Sequence, residues 1–580
     1  MHILKKVAFI LDKKQKKGII FLMVLVLIGM LIEFVSLGML MPTLNILIDS
    51  KSISNYPLLT TFLKFIGNPT RITFVLSVLL ILVTVYLAKA LYVFYMTWEQ
   101  QKFSANLSSD LSIKLFKGYL NAPYSFHLNR NSALLIRNIQ VEVGVFSGLT
   151  NSMLFFVTEI SVIISIAMLL FILQPIGSIL VLIILSISGF LFFHFTKKKL
   201  AKWGENRQVL AGSFSKILIQ SFGGVKEIMI LGKEKYFINE FNLINKENAI
   251  IQTKVNTLNQ IPRVYLELLA VFAISILILF MLAQNKSNDF ILPTLSLFVA
   301  SAFRMIPSIN KIMAALQNIT YSKPVVNTIF DELSLFSLKM VKISSEEKLT
   351  FNRHVKIQDL SFKYQNSETF SLTNINIEIF KNNSIGIMGQ SGSGKSTLID
   401  ILIGLHSPNS GNILVDEVNV NNNMTKWHNI IGYVPQTIFL IDESIKKNIA
   451  FGIIDSEIDN VALQNAIECA QLSDFILNLE NGLETNVGER GVKLSGGQRQ
   501  RIGIARALYN NPHILILDEA SSALDIKTEN DFMQSIKKLK GSITIIIVAH
   551  RLTTLNDCDL IYELNNGKII KKGTPELMIN

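Results

Sequence analysis

Cysteine is nearly absent. Cys469 and Cys558 are the only two in 580 residues. Two thiols cannot build a disulfide framework, so the small stapled extracellular scaffolds are excluded, and both read as reduced, buried groups on a cytosolic side. Charge is also scarce: Asp, Glu, Lys and Arg make up 17% of the chain, against about 25% in soluble domains. Half of the residues are hydrophobic and the mean hydropathy is +0.41. That excludes a disordered chain and argues against an ordinary soluble enzyme. The 13 Pro and 31 Gly leave no room for a collagen-like or low-complexity segment. No internal repeat is visible.

What charge there is carries a net +12. A basic excess can serve nucleic acid, anionic lipid or membrane topology. Here it flanks apolar runs, beginning with Lys5, Lys6, Lys13, Lys14, Lys16 and Lys17. Topology therefore accounts for much of it, and no nucleic-acid partner is expected. The first apolar run is too long for a signal-peptide core and lacks a small-residue cleavage site, so it reads as an uncleaved anchor. A bilayer span needs about 20 apolar residues. Six stretches qualify, roughly 18–44, 73–96, 144–173, 175–195, 261–283 and 290–316. Gln174-Pro175 and Gln284–Asp289 make tight hairpins. The long connections 97–143 and 196–260 are rich in Lys and Arg, Lys197-Lys198-Lys199 among them. Positive-inside logic puts both connections and both termini in the cytoplasm. The implied site is a membrane, crossed several times.

The pattern changes near residue 330. After a polar linker, 331–350, short apolar runs alternate with Gly, Asn and Asp turns. Ser384–Met388 and Ile514–Leu517 read as buried parallel strands. The expected fold is thus a polytopic α-helical membrane domain of six spans (1–330) followed by an α/β P-loop domain (351–580).

Gly389-Gln390-Ser391-Gly392-Ser393-Gly394-Lys395-Ser396-Thr397 follows one such strand and opens a helix, the setting a phosphate-binding loop needs. Its glycines let backbone N–H groups turn toward phosphate oxygens. Lys395 reaches the β/γ-phosphates of ATP, and the Ser396 hydroxyl ligates Mg²⁺. Asp518, at the end of Ile514–Leu517, is placed to hold Mg²⁺ through water. Glu519, one residue on, is placed to polarise an attacking water. Leu494-Ser495-Gly496-Gly497-Gln498 then narrows the choice, because the chain resembles the ATP-binding cassette (ABC) transporters at this point. The resemblance implies an adenine-stacking role for Tyr364, a Q-loop residue at Gln436 that also meets the metal, a D-loop at Ser522–Asp525, a switch histidine at His550 and an exporter-type loop at Thr485–Gly491. Six spans and one cassette are the half-transporter arrangement of ABC exporters. Each ATP in that family lies between the P-loop of one cassette and the signature (Ser495, Gly496, Gly497, Gln498) of another. A homodimer with two ATP sites follows, along with coupling helices near Tyr119–His127 and Phe222–Leu231.

The cargo leaves fainter marks. Lys89, Arg263, Arg304 and Lys311 lie in or beside apolar runs, where each charge costs about 2.5–3.5 kcal/mol on insertion scales unless it meets water or a partner. Together they could line a cationic cavity for phosphate or pyrophosphate. Against this, Glu267 is an intrahelical partner for Arg263, and Lys89 and Lys311 can snorkel to an interface. Tyr56, Leu58, Leu59, Phe62, Leu63, Phe65 and Ile66 recur at near-helical spacing, which suggests either an outer-surface amphipathic helix or one packed on the protein's own rim. Ile32-Glu33-Phe34 with Met41-Pro42, Ile261–Glu267 and Phe303–Ser308 resemble the bacterial PglK-type flippases. That resemblance implies a polyprenyl-pyrophosphate-linked oligosaccharide as cargo, turned over for protein glycosylation, with membrane lipids as the other contact. The alternative is an exporter of peptides, drugs or other lipids. About 17 residues precede the first run and none is Cys, so nothing there suggests a peptidase domain.

Overall fold

The computed structural model describes residues 2–39, 43, 71–173, 175–283, 288–337, 349–364, 367–520, 526–549 and 552–579. The chain divides into two compact units, Met1–Ala122 with Phe126–Met340, and Pro123–Ser125 with Val341–Asn580. The expected hairpin at Gln284–Asp289 falls largely outside the described residues, as do the outer segment 45–70 and most of the expected linker.

The first unit is helical. Its helices are α1 (His2–Ile10), α2 (Lys13–Gly38), α3 (Arg71–Leu120), α4 (Tyr124–Leu128, of which Tyr124 and Ser125 are grouped with the second unit), α5 (Ser132–Arg137), α6 (Val143–Leu173), α7 (Pro175–Gly223), α8 (Val225–Ile230), α9 (Glu234–Ala283), α10 (Asn288–Tyr321) and α11 (Lys323–Ser337). Asp12 and Gln15 form a reciprocal capping box that starts α2. Pro175 starts α7, where its missing N–H has no helical partner to lose. Among the described residues, five helical segments are long and apolar enough to cross a bilayer: Lys13–Gly38, Val75–Leu120, Ser132–Ile172, Pro175–Gly223 and Glu234–Leu279. The sixth expected span, 290–316, is helical within α10.

The long basic connections differ from their reading as loops. Helices α3 and α9 are 50 residues each and α7 is 49. At 1.5 Å per residue, 50 residues extend about 75 Å, more than twice a hydrocarbon core of about 30 Å. Hydropathy marks only the lipid-crossing part; the polar continuation keeps good helix formers, so the helix does not stop. What remains of the connections is short: α4 and α8, near the two expected coupling segments, α5, and one π-helical turn, Asn138–Glu142. Helix α11 likewise runs past residue 331, so the first part of the expected linker is helical.

Apolar seams hold this unit. Leu107, Leu111 and Leu115 of α3, spaced by four, meet Val143, Phe146 and Leu149 of α6 and Val325, Val326 and Ile329 of α11. Farther along α6, Val162, Ile166 and Leu170 meet Leu266 and Leu277 of α9 and Met305 and Met313 of α10.

Among its described residues the second unit holds two sheets. Strands β1 (His354–Phe362), β2 (Leu372–Phe380), β4 (Ser410–Val415) and β5 (Val418–Asn419) form an antiparallel sheet in the order β2-β1-β4-β5. The other sheet runs β10-β9-β3-β8-β7-β6, from β3 (Ser384–Met388), β6 (Ile431–Val434), β7 (Ile514–Asp518), β8 (Thr544–Val548), β9 (Leu560–Asn565) and β10 (Lys568–Gly573). Its centre is parallel and buried on both faces: Ile514 and Ile516 enter one core while Leu515 and Leu517 enter the other. That two-sided burial explains the unbroken apolar runs.

Candidate functional site

Register gathers the ATP-site residues. On β8, Val548 pairs with Ile387 of β3 on one side and Asp518 of β7 on the other. The carboxyl ends of β3, β8 and β7 thus share one edge, where α/β sheets hold ligands. The loop 389–394 leaves β3 there and enters helix α12 (Lys395–Leu402).

Two glycines are sterically required. A Cβ at Gly389 would lie 2.3 Å from the Leu564 carbonyl oxygen and 2.6 Å from Ser393 Oγ. Gly394 has φ +104°, a left-handed conformation that side chains disfavour. Lys395 is buried, and its Nζ donates to the carbonyl oxygens of Gly389 (2.7 Å) and Gln390 (2.9 Å). Burial lowers its pKa, and the carboxylates of Glu519 and Asp518 partly offset this. Asp518 is shifted the other way: burial raises its pKa, with repulsion from Glu519 adding to it. The Tyr433 hydroxyl donates to Asp518 Oδ2 at 3.4 Å. Glu519 stands in the left-handed region at φ +50°. Such a conformation costs on the order of 1–3 kcal/mol and tends to occur at working sites. Its Oε2 accepts from Gln436 Nε2 at 2.6 Å.

These side chains border a cleft of about 640 Å³, lined by Ser391, Gly392, Gly394, Lys395, Ser396, Thr397, Gln436 and Glu519. Gly389, Gln390 and Ser393 form the loop beneath. Tyr364 bonds through its hydroxyl to Thr397 Oγ1 at 3.1 Å. Phe370, which the motif reading passed over, also borders the cleft and is exposed. Groups suited to a hard cation are present, since Mg²⁺ is commonly held by one or two carboxylates together with substrate phosphates: the Ser396 hydroxyl and the Gln436 amide border the cleft, and the Asp518 carboxylate adjoins Glu519 in the chain. Asp525 and His550 lie outside the described residues.

The signature builds a separate feature. Ser495 caps helix α13 (Gly496–Tyr509): Gln498 N–H donates to Ser495 Oγ at 3.2 Å, and Ser495 N–H to Gln498 Oε1 at 2.8 Å. Ser495 is exposed at this helix N-terminus, where backbone N–H groups suit an anion. Gly496 borders a second groove with Gln436 and Arg499, and neither it nor Ser495 lines the P-loop cleft. Gly497 follows in the first turn.

Each of the four membrane-domain cations meets a carboxylate, and two of them meet the same one. Lys89 Nζ lies 3.0 Å from Glu33 Oε1 and Arg304 Nε 2.8 Å from the same atom. The Glu33 side chain is 3% exposed. Lys89 also stands 5.1 Å from the centre of the Tyr86 ring. Lys311 pairs with buried Glu159 at 2.8 Å. Arg263 pairs with Glu267 at 3.2 Å, both well exposed. Of the four, Lys311 alone borders the cavity of about 980 Å³ in this unit. Lys89 and Arg304 thus stand together on Glu33, while Lys311 and Arg263 each have a carboxylate of their own. The signal that could have found Glu33 and Glu159 was present, since a carboxylate inside an apolar run needs a partner as much as a cation does.

The family profile described as "ABC transporter" matches residues 372–522, and "ABC transporter transmembrane region" matches 17–305. The "ATP-dependent lipid A-core flippase" of Saccharophagus degradans is 31% identical over 486 residues, covering 82% of this chain and 80% of that protein. The protein of the same name from Ralstonia nicotianae is 28% identical, covering 80% of this chain and 78% of that one. A solved structure, a "bacterial Atm1-family ABC exporter with ATP bound", superposes with a TM-score of 0.78 at 21% identity, covering 98% of this chain and 97% of that one. The chain belongs to the ABC transporter family, with a multi-pass helical unit joined to a cassette whose ATP hydrolysis is coupled to transport.

Proposed function

We propose that this protein is a homodimeric flippase of the bacterial inner membrane, both termini cytoplasmic, that turns over a polyprenyl-pyrophosphate-linked oligosaccharide. The observation that carries the cargo reading is the charge count around Glu33. Two cations, Lys89 and Arg304, share this one buried carboxylate, leaving one positive charge inside apolar helices. Such a charge is costly in a membrane unless an anion or water meets it. The Arg304 side chain is 32% exposed, so an anionic headgroup has access to it. A second reading, a lipid A-core glycolipid, is favoured by the names of the relatives.

In the cassette, phosphate oxygens take the place of the Gly389 and Gln390 carbonyls as partners of Lys395 Nζ. Bound Mg²⁺ would supply charge neutralisation at the phosphates, held by Ser396, Asp518 and Gln436. Glu519 accepts a proton from the attacking water, and Gln436 orients its carboxylate. Tyr364 offers a ring to adenine. Ser495, Gly496, Gly497 and Gln498 serve the ATP of the second copy, since the signature stands outside its own chain's P-loop cleft. Asp525 and His550 complete the set by motif. Helix α8 buries none of its residues, and Val225, Met229 and Ile230 are exposed, as a segment that docks on a cassette requires.

The test is translocation in proteoliposomes, with ATPase measured on the same preparation. Lipid-linked oligosaccharide and lipid A-core are offered separately. Lys89→Gln should lower oligosaccharide translocation per ATP hydrolysed. Transport of lipid A-core alone would favour the second reading, and transport of neither would defeat both.

A further inference from the structure

Among the described residues that border the P-loop cleft, Phe370 alone carries a wholly apolar side chain; the others are glycines or polar groups. Phe370 is 53% exposed. A single exposed Phe is ordinary on a surface, but this one has a fixed mount. It stands two residues before β2 begins. Ser371 N–H donates to the Phe362 carbonyl at 2.8 Å, Thr373 N–H to the Gly567 carbonyl at 2.8 Å and Gly567 N–H to the Ser393 carbonyl at 3.0 Å. The backbones also touch: a Cβ at Gly394 would lie 3.0 Å from the Ser371 carbonyl oxygen, and one at Gly567 2.5 Å from it. The chain that carries Phe370 is therefore tied to the phosphate loop, so the residue keeps a set position beside the seat for the phosphates.

Tyr364 is held differently. Its hydroxyl bonds to Thr397 Oγ1 at 3.1 Å, and its ring stands nearly perpendicular to Phe362 (5.0 Å, 81°) and to His406 (5.5 Å, 87°). Those three contacts fix the ring, which is half-buried, while Thr369, Phe370 and Ser371 form the border of the cleft. The rest of that border serves phosphate. Lys395 and the hydroxyls of Ser391, Ser396 and Thr397 offer charge and hydrogen bonds. The two apolar faces of a nucleotide base use neither. An aromatic ring laid on such a face gains by stacking, and the gain needs no particular base because every base has a π-face.

We propose that Phe370 supplies an aromatic face to the base of ATP, in addition to the ring of Tyr364, and so makes the cleft prefer a nucleotide over a bare triphosphate; this rests on ATP occupying the P-loop cleft. The test uses the full chain in nanodiscs and two probes. Mg-ATP is read as the KM of hydrolysis. Mg-tripolyphosphate, which has no base, is read as its inhibition constant against ATP. Phe370→Ala should raise the KM for ATP about tenfold, the loss expected from one base–aromatic stack, and leave the inhibition constant of tripolyphosphate unchanged. Phe370→Trp should stay at or below the wild-type KM. Phe370→Leu keeps apolar bulk without a π-face and should behave as Phe370→Ala does. An equal shift for both probes marks a loop disturbed as a whole and overturns the proposal. An unchanged KM in Phe370→Ala, or a wild-type KM in Phe370→Leu, overturns it as well. Lys395→Ala is the control for the cleft, because Lys395 faces phosphate and its loss should weaken both probes alike. If Lys395→Ala weakens neither, ATP lies elsewhere and the reading of the cleft fails, the inference with it. If Lys395→Ala weakens both and Phe370→Ala neither, the inference alone fails.

Discussion

Removing the Glu33 carboxylate should be far more damaging than removing either of its cations. Glu33 is 3% exposed and meets both Lys89 and Arg304. Glu33→Gln removes the carboxylate that both cations share and leaves Arg304 only the weaker influence of Glu159, and breaking a buried pair from one side costs about 3–5 kcal/mol. Lys89→Gln instead leaves Glu33 and Arg304 as a one-to-one pair, so its cost should stay below about 1 kcal/mol. For a unit of roughly 340 residues, an unfolding entropy of about 2.1 cal/mol/K per residue makes each kcal/mol worth about 1.4 °C. Glu33→Gln should thus lower the apparent Tm by about 4–7 °C, and Lys89→Gln by little more than 1 °C. Scanning fluorimetry in one detergent, at one scan rate, measures both. The double variant Glu33→Gln with Lys89→Gln should recover part of the loss, because one stranded cation is removed. Equal Tm losses for the two single variants, or no recovery in the double, would refute the shared-carboxylate argument. Arg263→Gln is the control: an exposed pair is worth about 0–1 kcal/mol, so its Tm should not move.

Four further outcomes concern the cassette. Glu519→Gln should keep nucleotide binding and cut phosphate release about 10²–10⁴-fold, the usual loss when a proton acceptor is removed. Asp518→Asn should raise the Tm of the nucleotide-free protein and abolish the extra stabilisation by Mg-ATP. The sign follows from a folded-state pKa raised by burial and by Glu519: the charged form is disfavoured in the folded state, so this opposition eases as pH falls through that pKa, and a neutral isostere removes it at neutral pH. Gly389→Ala places a Cβ 2.3 Å from a backbone oxygen and should destabilise the cassette by about 1–3 kcal/mol with weakened ATP binding. A purified heterodimer of a Lys395→Ala chain and a Ser495→Ala chain should bind about one nucleotide, since one composite site is intact and the other doubly damaged; equal loss at both sites would contradict sharing between chains.

The elements legible in the sequence are those whose cause is local. Ser384–Met388 and Ile514–Leu517 read as buried strands because an interior parallel strand is apolar on both faces, and both are interior strands of the six-stranded sheet. Apolar runs located the spans for the same reason. They could not show how far α3, α7 and α9 extend, because beyond the lipid a helix is kept by propensity and packing, and hydropathy is silent on both. The antiparallel sheet of β1, β2, β4 and β5 was not read either. Its strands alternate, as in β2 where Leu372, Ile375, Ile377 and Ile379 are buried, but Asn374, with φ +51°, interrupts the alternation.

The same division separates the two candidate sites. A phosphate loop is a local object: its glycines, Lys395 and Ser396 are adjacent in the chain, so nine consecutive residues nearly specify it. The partner of Arg304 is 271 positions away, and no spacing rule connects them.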